Sequence, residues 1–285
     1  MLGWPRRSSE GGDLTQRDQA REFRARHGGG EIVVLPNAFD VASARVIAKH
    51  QPVAIGTTSA GIAWALGFPD GQRIDRDAML SATERIVRSV PVGVTADVEA
   101  GYGDAPEDAA ATAEAVIEIG AIGLNIEDAA GDSEEPLLPI DRAAEKIAAV
   151  RGVAESAGIE LVVNARTDAF LYGVDDALEV AVERGNRYLA AGADCVFVPG
   201  AVDRDAIGQL VDRLDGPLNV YAIPGVPEVG ELSRLGVARV SVGCGPYQAC
   251  MALVDEATRA LLGEGSYDPF LDRHLSVPEL QTLLA

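Results

Sequence analysis

Val92-Gly93-Val94-Thr95-Ala96-Asp97-Val98-Glu99-Ala100-Gly101-Tyr102-Gly103 is an apolar run that breaks into two carboxylates and a glycine-flanked tyrosine. A short, continuously apolar run bounded by such breakers reads as a strand buried on both faces, as in a parallel sheet. The pattern recurs: Gly123-Leu124-Asn125-Ile126 runs into Glu127-Asp128, and Leu161-Val162-Val163-Asn164-Ala165 runs into Arg166-Thr167-Asp168. In barrels of alternating strands and helices the reactive groups stand at the carboxyl ends of the strands, each from a different strand. One face would therefore gather Asp97, Glu99, Glu127, Asp128, Arg166 and Asp168.

Outward from this stretch, further buried strands read at Ile32–Leu35, Val53–Ile55, Cys195–Val198, Leu218–Tyr221 and Arg239–Val242, which brings the count to eight. Helical periodicity with good start signals separates them, opened by Asp40, Asp75, Pro106 and Asp203. Gly120, Gly158, Gly192 and Gly236 fall just past helices, where a left-handed cap is wanted. Eight strands alternating with eight helices and no composition break predict a single (β/α)8 TIM-type barrel rather than an open doubly wound sheet. Gln16–His27 reads as an extra N-terminal helix closing the barrel floor. The apolar stretch after Gly265 reads as a C-terminal helical extension docked on its own barrel or on a neighbouring subunit. Residues 1–13 read as a flexible extension, and 14–285 as the barrel domain.

The chain has 285 residues, 47% hydrophobic and 5% aromatic, which suits small side chains packed between helices and a parallel sheet. Its formal net charge of -20 argues against nucleic acid, whose phosphates need clustered Lys and Arg. No run reaches the ~20 apolar residues of a membrane helix. Cys195, Cys244 and Cys250 have neither redox nor metal-ligand spacing, and no secretory signal precedes them, so a reducing cytoplasm is expected. Cys195 reads as core, while Cys244 follows the last strand and could reach the mouth. His27, His50 and His274 lie away from the strand ends, so the expected chemistry has no histidine base.

Asp97 and Glu99, two residues apart on a strand, share a face. Carboxylates so placed repel and raise each other's pKa, a penalty that a divalent cation removes. For Asp128 and Asp168 the competing reading is simple helix capping; for Arg166 it is an ion pair with Glu127 or Asp168.

Four ordered segments carry a family resemblance: Leu35-Pro36-Asn37-Ala38-Phe39-Asp40; Thr57-Thr58-Ser59-Ala60-Gly61 with Leu66-Gly67-Phe68-Pro69-Asp70; Asp97 to Gly103; and Ile126-Glu127-Asp128 with Ala165-Arg166-Thr167-Asp168. Over nearly its whole length the chain resembles the phosphoenolpyruvate mutase/isocitrate lyase superfamily, in its less studied mutase-like branch. The resemblance implies a Mg2+ (or Mn2+) site with Asp97 as direct ligand and Glu99 and Glu127 holding metal-bound waters. It implies a substrate carboxylate gripped by a glycine-containing turn at Thr58, Ser59, Ala60 and Gly61, together with Asp97 and Arg166. It also implies a homotetramer, or a dimer that exchanges its last helix, with Pro246 to Leu262 and the tail as the interface.

The departures narrow the chemistry. Lyases of the family carry a Lys-Lys/Arg-Cys-Gly-His loop after the fourth strand, where this chain has Gly131-Asp132-Ser133-Glu134-Glu135-Pro136. Mutases carry Glu-Asp-Lys with a later Asn-Ser, where this chain has Glu127-Asp128-Ala129. Gly200 and Ala222-Ile223-Pro224 replace groups that hold the far carboxylates of tricarboxylates, which implies a smaller substrate. The expected enzyme is a Mg2+-dependent lyase for a small 2-oxo or 2-hydroxy acid, by C–C cleavage or decarboxylation through an enolate. Arg166 and Asp128 are its catalytic candidates. The alternatives are P–C bond chemistry on phosphonopyruvate or phosphoenolpyruvate, and a non-catalytic protein that binds an oxo acid.

Overall fold

The computed structural model describes residues 14–131 and 135–285; the expected extension at 1–13 and the loop residues Asp132 to Glu134 lie outside the described residues. In chain order the elements are α1 Gln16–His27, β1 Val33–Leu35, β2 Asn37–Ala38, α2 Val41–Ala48, β3 Ala54–Thr57, α3 Ser59–Ala65, α4 Arg76–Ser89 and β4 Gly93–Asp97. They continue as α5 Pro106–Glu118, β5 Gly123–Glu127, α6 Ile140–Ala157, β6 Val162–Arg166, α7 Ala177–Ala190, β7 Cys195–Phe197 and α8 Arg204–Arg213. The chain ends with β8 Leu218–Tyr221, α9 Val229–Leu235, β9 Arg239–Ser241, α10 Gly245–Glu264, α11 Asp268–Asp272 and α12 Val277–Leu284.

All strand pairs are parallel, in the order β1-β9-β8-β7-β6-β5-β4-β3-β2. Only Pro36 separates β1 from β2, so one stretch pairs with β9 through its first half and with β3 through its second, and the sheet closes on itself as a TIM-type barrel. The expected count of eight becomes nine because proline has no N–H to give the ladder and splits the first strand. Asn37, just past the break, clasps the seam. Its Nδ2 donates to Thr57 O at 2.9 Å, and its Oδ1 accepts the Val242 and Gly243 amides at 3.0 and 2.9 Å. Gly56 faces this side chain, and a Cβ there would sit 2.6 Å from Asn37 Nδ2.

Strand alternation fixes the barrel interior. Asn164 Nδ2 reaches Asn125 Oδ1 at 2.7 Å, and Arg239 reaches the same oxygen from the non-adjacent β9, so Asn125, Asn164 and Arg239 point inward. Two residues further along their strands, Glu127, Arg166 and Ser241 share that face, as do Asp97, paired with Asn125, and Tyr221, paired with Ser241. The apolar core lies outside the strands, where Ala109, Ala113, Ala143, Ala144, Ile147 and Val150 of α5 and α6 pack with Leu124 and Val163. Small residues there let the helices sit close to the sheet.

Helix limits follow from their chemistry. Asp40, Asp75 and Asp203 accept first-turn amides, and Gly120, Gly158, Gly192 and Gly236 all take positive φ. The tail docks on its own chain, Arg45 donating to Leu283 O at 2.9 Å. By contrast α10 buries only Ala257 and exposes Met251, Val254, Leu261 and Leu262. Its first turn is anchored by Tyr247, whose ring lies 5.1 Å from Phe39 and 5.5 Å from Trp64. Among the described residues no helix is long and apolar enough to cross a membrane.

Candidate active site

Asp97 ends β4 and is buried. Its Oδ2 accepts both the amide of Ser59 at 2.9 Å and the Ser59 hydroxyl at 2.8 Å, and its own N–H donates to Thr57 Oγ1 at 2.8 Å. No protein donor is found for its Oδ1 among the described residues. The segment Thr58 to Gly61, expected as a turn, is the cap and first turn of α3, with Thr58 as N-cap accepting Gly61 N–H. Gly61 lets this helix pack close to Phe39: a Cβ there would lie 2.7 Å from Thr58 Cγ2 and 2.9 Å from Phe39 Cβ. The Ser59 and Gly61 amides have partners inside the protein, Asp97 and Thr58.

Glu99, just past β4, holds φ at +50°. Its carboxylate accepts Gln72 N–H on one oxygen and the Tyr102 hydroxyl on the other, the latter at 3.2 Å. Burial, with Asp97 beside it, pushes the Glu99 carboxyl up to about 7. Burial and Glu99 together raise the Tyr102 phenol, which keeps it a donor. The Gln72 segment also brings Asp70 to the rim, where desolvation, with Asp97 adding to it, raises its carboxyl.

Arg166, ending β6, joins the next two strand ends. Its Nη1 lies 2.8 Å from Glu127 Oε2, while Nε and Nη2 donate to Asp168 at 2.6 and 3.1 Å, and its plane lies over Phe197. Burial works against the guanidinium charge, but Glu127 and Asp168 outweigh it and raise its pKa. Two carboxylates share this one cation, so burial holds both Glu127 and Asp168 above the ordinary range despite Arg166. The ion-pair reading of Arg166 is therefore realised, on an inward face that still opens to the mouth.

Asp128 does not join this cluster. Fully buried, it accepts Asp168 N–H at 2.9 Å on one oxygen, and Arg184 at 3.0 Å and Tyr188 OH at 2.7 Å on the other. Expected as a catalytic candidate, it sits in a buried network that ties α7 to the end of β6. The capping reading is not realised, because the donors come from elsewhere than a following helix.

The mouth thus holds hard oxygen donors from Asp97, Glu99 and Glu127, with the Arg166 guanidinium paired to Glu127. Among the described residues no three His, Cys, Asp or Glu side chains converge tightly enough to encage an ion. A cation here would keep most of its water, the habit of Mg2+, which takes one or two carboxylates. The donor set and the like-charge crowding fit that ion.

The sequence profile of the phosphoenolpyruvate phosphomutase family matches residues 23–262. The chain belongs to that family. Uncharacterized protein Rv1998c of Mycobacterium tuberculosis (strain ATCC 25618 / H37Rv) is 37% identical over 262 residues, covering 92% of this chain and 95% of that one. Oxaloacetate decarboxylase of Chromohalobacter salexigens is 30% identical over 254 residues, covering 86% of each. The crystal structure of a candidate lyase/mutase from Burkholderia cenocepacia J2315 superposes with a TM-score of 0.89 at 34% identity, covering 95% of this chain and 96% of that one. This phosphomutase-family chain is accordingly an enzyme of the isocitrate lyase/phosphoenolpyruvate mutase superfamily.

Three mouth groups escaped the sequence reading of the site. Asp70 closes a quoted motif and Gln72 follows it, but nothing local says their loop folds back on Glu99. Tyr221 was legible as the inward end of β8; its hydroxyl lies 3.3 Å from Cys244 Sγ, and Gly243 passes so close to its ring that a Cβ would lie 2.7 Å away. Cys195 is core as expected, and burial pushes its thiol up to about 12.

Proposed function

We propose that this enzyme is a divalent-metal-dependent lyase for a small 2-oxo or 2-hydroxy carboxylic acid, cleaving a C–C bond or releasing carbon dioxide. The observation that carries the reading is the pairing of an acidic corner, Asp97 with Glu99 and Glu127, with the Arg166 guanidinium at the mouth. Asp97 would hold Mg2+ directly, and Glu99 and Glu127 would hold it through water. Bound there, the ion supplies Lewis-acid charge to a substrate carboxylate and its adjacent oxygen. Arg166, held flat by two carboxylates and Phe197, is preorganised to stabilise the negative charge that builds as the bond to carbon breaks. The 30% identity to an oxaloacetate decarboxylase supports the decarboxylation branch.

Assembly belongs to the same reading. The unburied apolar face of α10 suits a second copy that exchanges this helix, within a dimer or tetramer. A light-scattering mass equal to one chain would refute it.

The function is tested by following pyruvate release from oxaloacetate, 2-methylisocitrate and citramalate, glyoxylate release from isocitrate, and consumption of phosphonopyruvate, each with Mg2+ and with EDTA. Metal-dependent turnover of a carbon acid is expected. Turnover of phosphonopyruvate alone would move the chemistry to the P–C bond, and EDTA-resistant turnover would remove the metal.

A further inference from the structure

The segment between α3 and α4 turns on residues of left-handed conformation. Gly67 and Gly71 take it freely, but Gln72 holds φ at +55° with a full side chain. Its two partners do the same, Glu99 at +50° and Tyr102 at +58°. Non-glycine residues in this region are uncommon and persist where surrounding bonds over-determine them. Here those bonds form a closed ring. Gln72 N–H donates to one Glu99 oxygen, the Tyr102 hydroxyl donates to the other at 3.2 Å, and Tyr102 N–H donates to Gln72 Oε1 at 3.0 Å.

The ring joins two separate pieces of chain at the mouth. One is the corner after β4, which carries Asp97 and Glu99. The other is the α3–α4 segment, anchored at its start by Ser59 to Asp97 and bearing Asp70 near its end. Gln72 engages one Glu99 oxygen and Tyr102 the other, so the orientation of that carboxylate depends on both partners. Gln72 contributes twice, through its main-chain donor and through its side-chain acceptor.

We propose that Gln72 is a positioning residue for the cation corner: its side chain, by taking the Tyr102 amide, locks the α3–α4 segment onto Glu99 and fixes that carboxylate toward Asp97. The proposal rests on the reading that Asp97 and Glu99 serve a divalent cation. Partners that orient metal-binding groups typically affect metal affinity by about 10–100-fold, and Gln72 falls in that class by its contacts.

The test is isothermal titration of the full chain with Mg2+, repeated with Mn2+, on the wild type, Gln72→Ala, Gln72→Gly, Tyr102→Phe and Asp97→Ala, with each variant's melting temperature. Gln72→Ala is expected to weaken binding about tenfold or more. Gln72→Gly keeps the left-handed backbone without strain, so it should weaken binding equally while melting no lower than Gln72→Ala. Tyr102→Phe should act in the same direction. A lowered melting temperature with unchanged Mg2+ affinity in Gln72→Ala and Gln72→Gly, while Asp97→Ala abolishes binding, would overturn the positioning role and leave the metal reading standing. No binding to the wild type, or equal binding to Asp97→Ala, would overturn both.

Discussion

Ser59 is bound twice to the same oxygen of Asp97, by its amide at 2.9 Å and by its hydroxyl at 2.8 Å. This double contact turns one face of the carboxylate toward α3 and leaves Oδ1 for other partners. Hydrogen bonds to a charged group contribute about 1.5–3 kcal/mol each. Ser59→Ala keeps the amide bond and loses the other, so Mg2+ affinity is expected to fall about tenfold. Titration calorimetry checks it; unchanged affinity would mean the amide alone orients Asp97.

Arg166 separates charge from geometry. Arg166→Lys keeps a cation but has no planar fork to span Glu127 and Asp168. It is expected to lose about 100-fold or more in kcat/KM with little change in melting temperature. Arg166→Met also strands two buried carboxylates and should cost about 3–5 kcal/mol of stability. A lysine variant with wild-type kcat/KM would show that charge alone suffices.

Asp128 should prove structural. Its replacement by alanine leaves the largely buried Arg184 without its carboxylate, a loss of about 3–5 kcal/mol. The midpoint of urea denaturation should fall accordingly, while kcat/KM of the folded enzyme changes by less than about tenfold. The reverse pattern, with an unchanged urea midpoint and turnover abolished, would assign Asp128 a catalytic role.

The contrast between Asp97 and Asp128 shows how far the sequence reaches. Both follow apolar runs, and that periodicity suffices for the barrel, the strand ends and the inward pairing of Asp97, Glu127 and Arg166. It does not say which way a residue beyond the strand end turns. Asp128 is captured by Arg184 and Tyr188, which lie 56 and 60 residues away, contacts that tertiary packing alone decides. Pro36 could have announced the split first strand, but a gap of one residue is invisible to a hydrophobic pattern. Ser59–Ala65 is too short to show helical period and was masked by its glycine. The Gln72 ring depends on three left-handed residues, none of them a type that advertises that conformation.

His27 supplies the last prediction, at the opposite end of the barrel. It closes α1, edge-on to Phe23 at 4.8 Å. Its Nδ1 lies 2.9 Å from Phe23 O, and a carbonyl can only accept, so the neutral ring carries its proton there. Nε2 is buried without a partner among the described residues. Burial, with Arg239 adding to it, pushes its pKa down to about 4 from 6.5. The folded state therefore binds fewer protons than the unfolded state between these values. This contribution is fully present above pH 6.5 and is lost as pH falls through 4, for a total of about 3 kcal/mol. His27→Gln removes the titration, so the stability difference between wild type and variant should narrow on acidification across that window. Urea denaturation of both proteins at pH 7.5, 5.5 and 4.5 checks it, and a pH-independent difference would show that His27 is neutral in neither more nor less measure than in the unfolded chain.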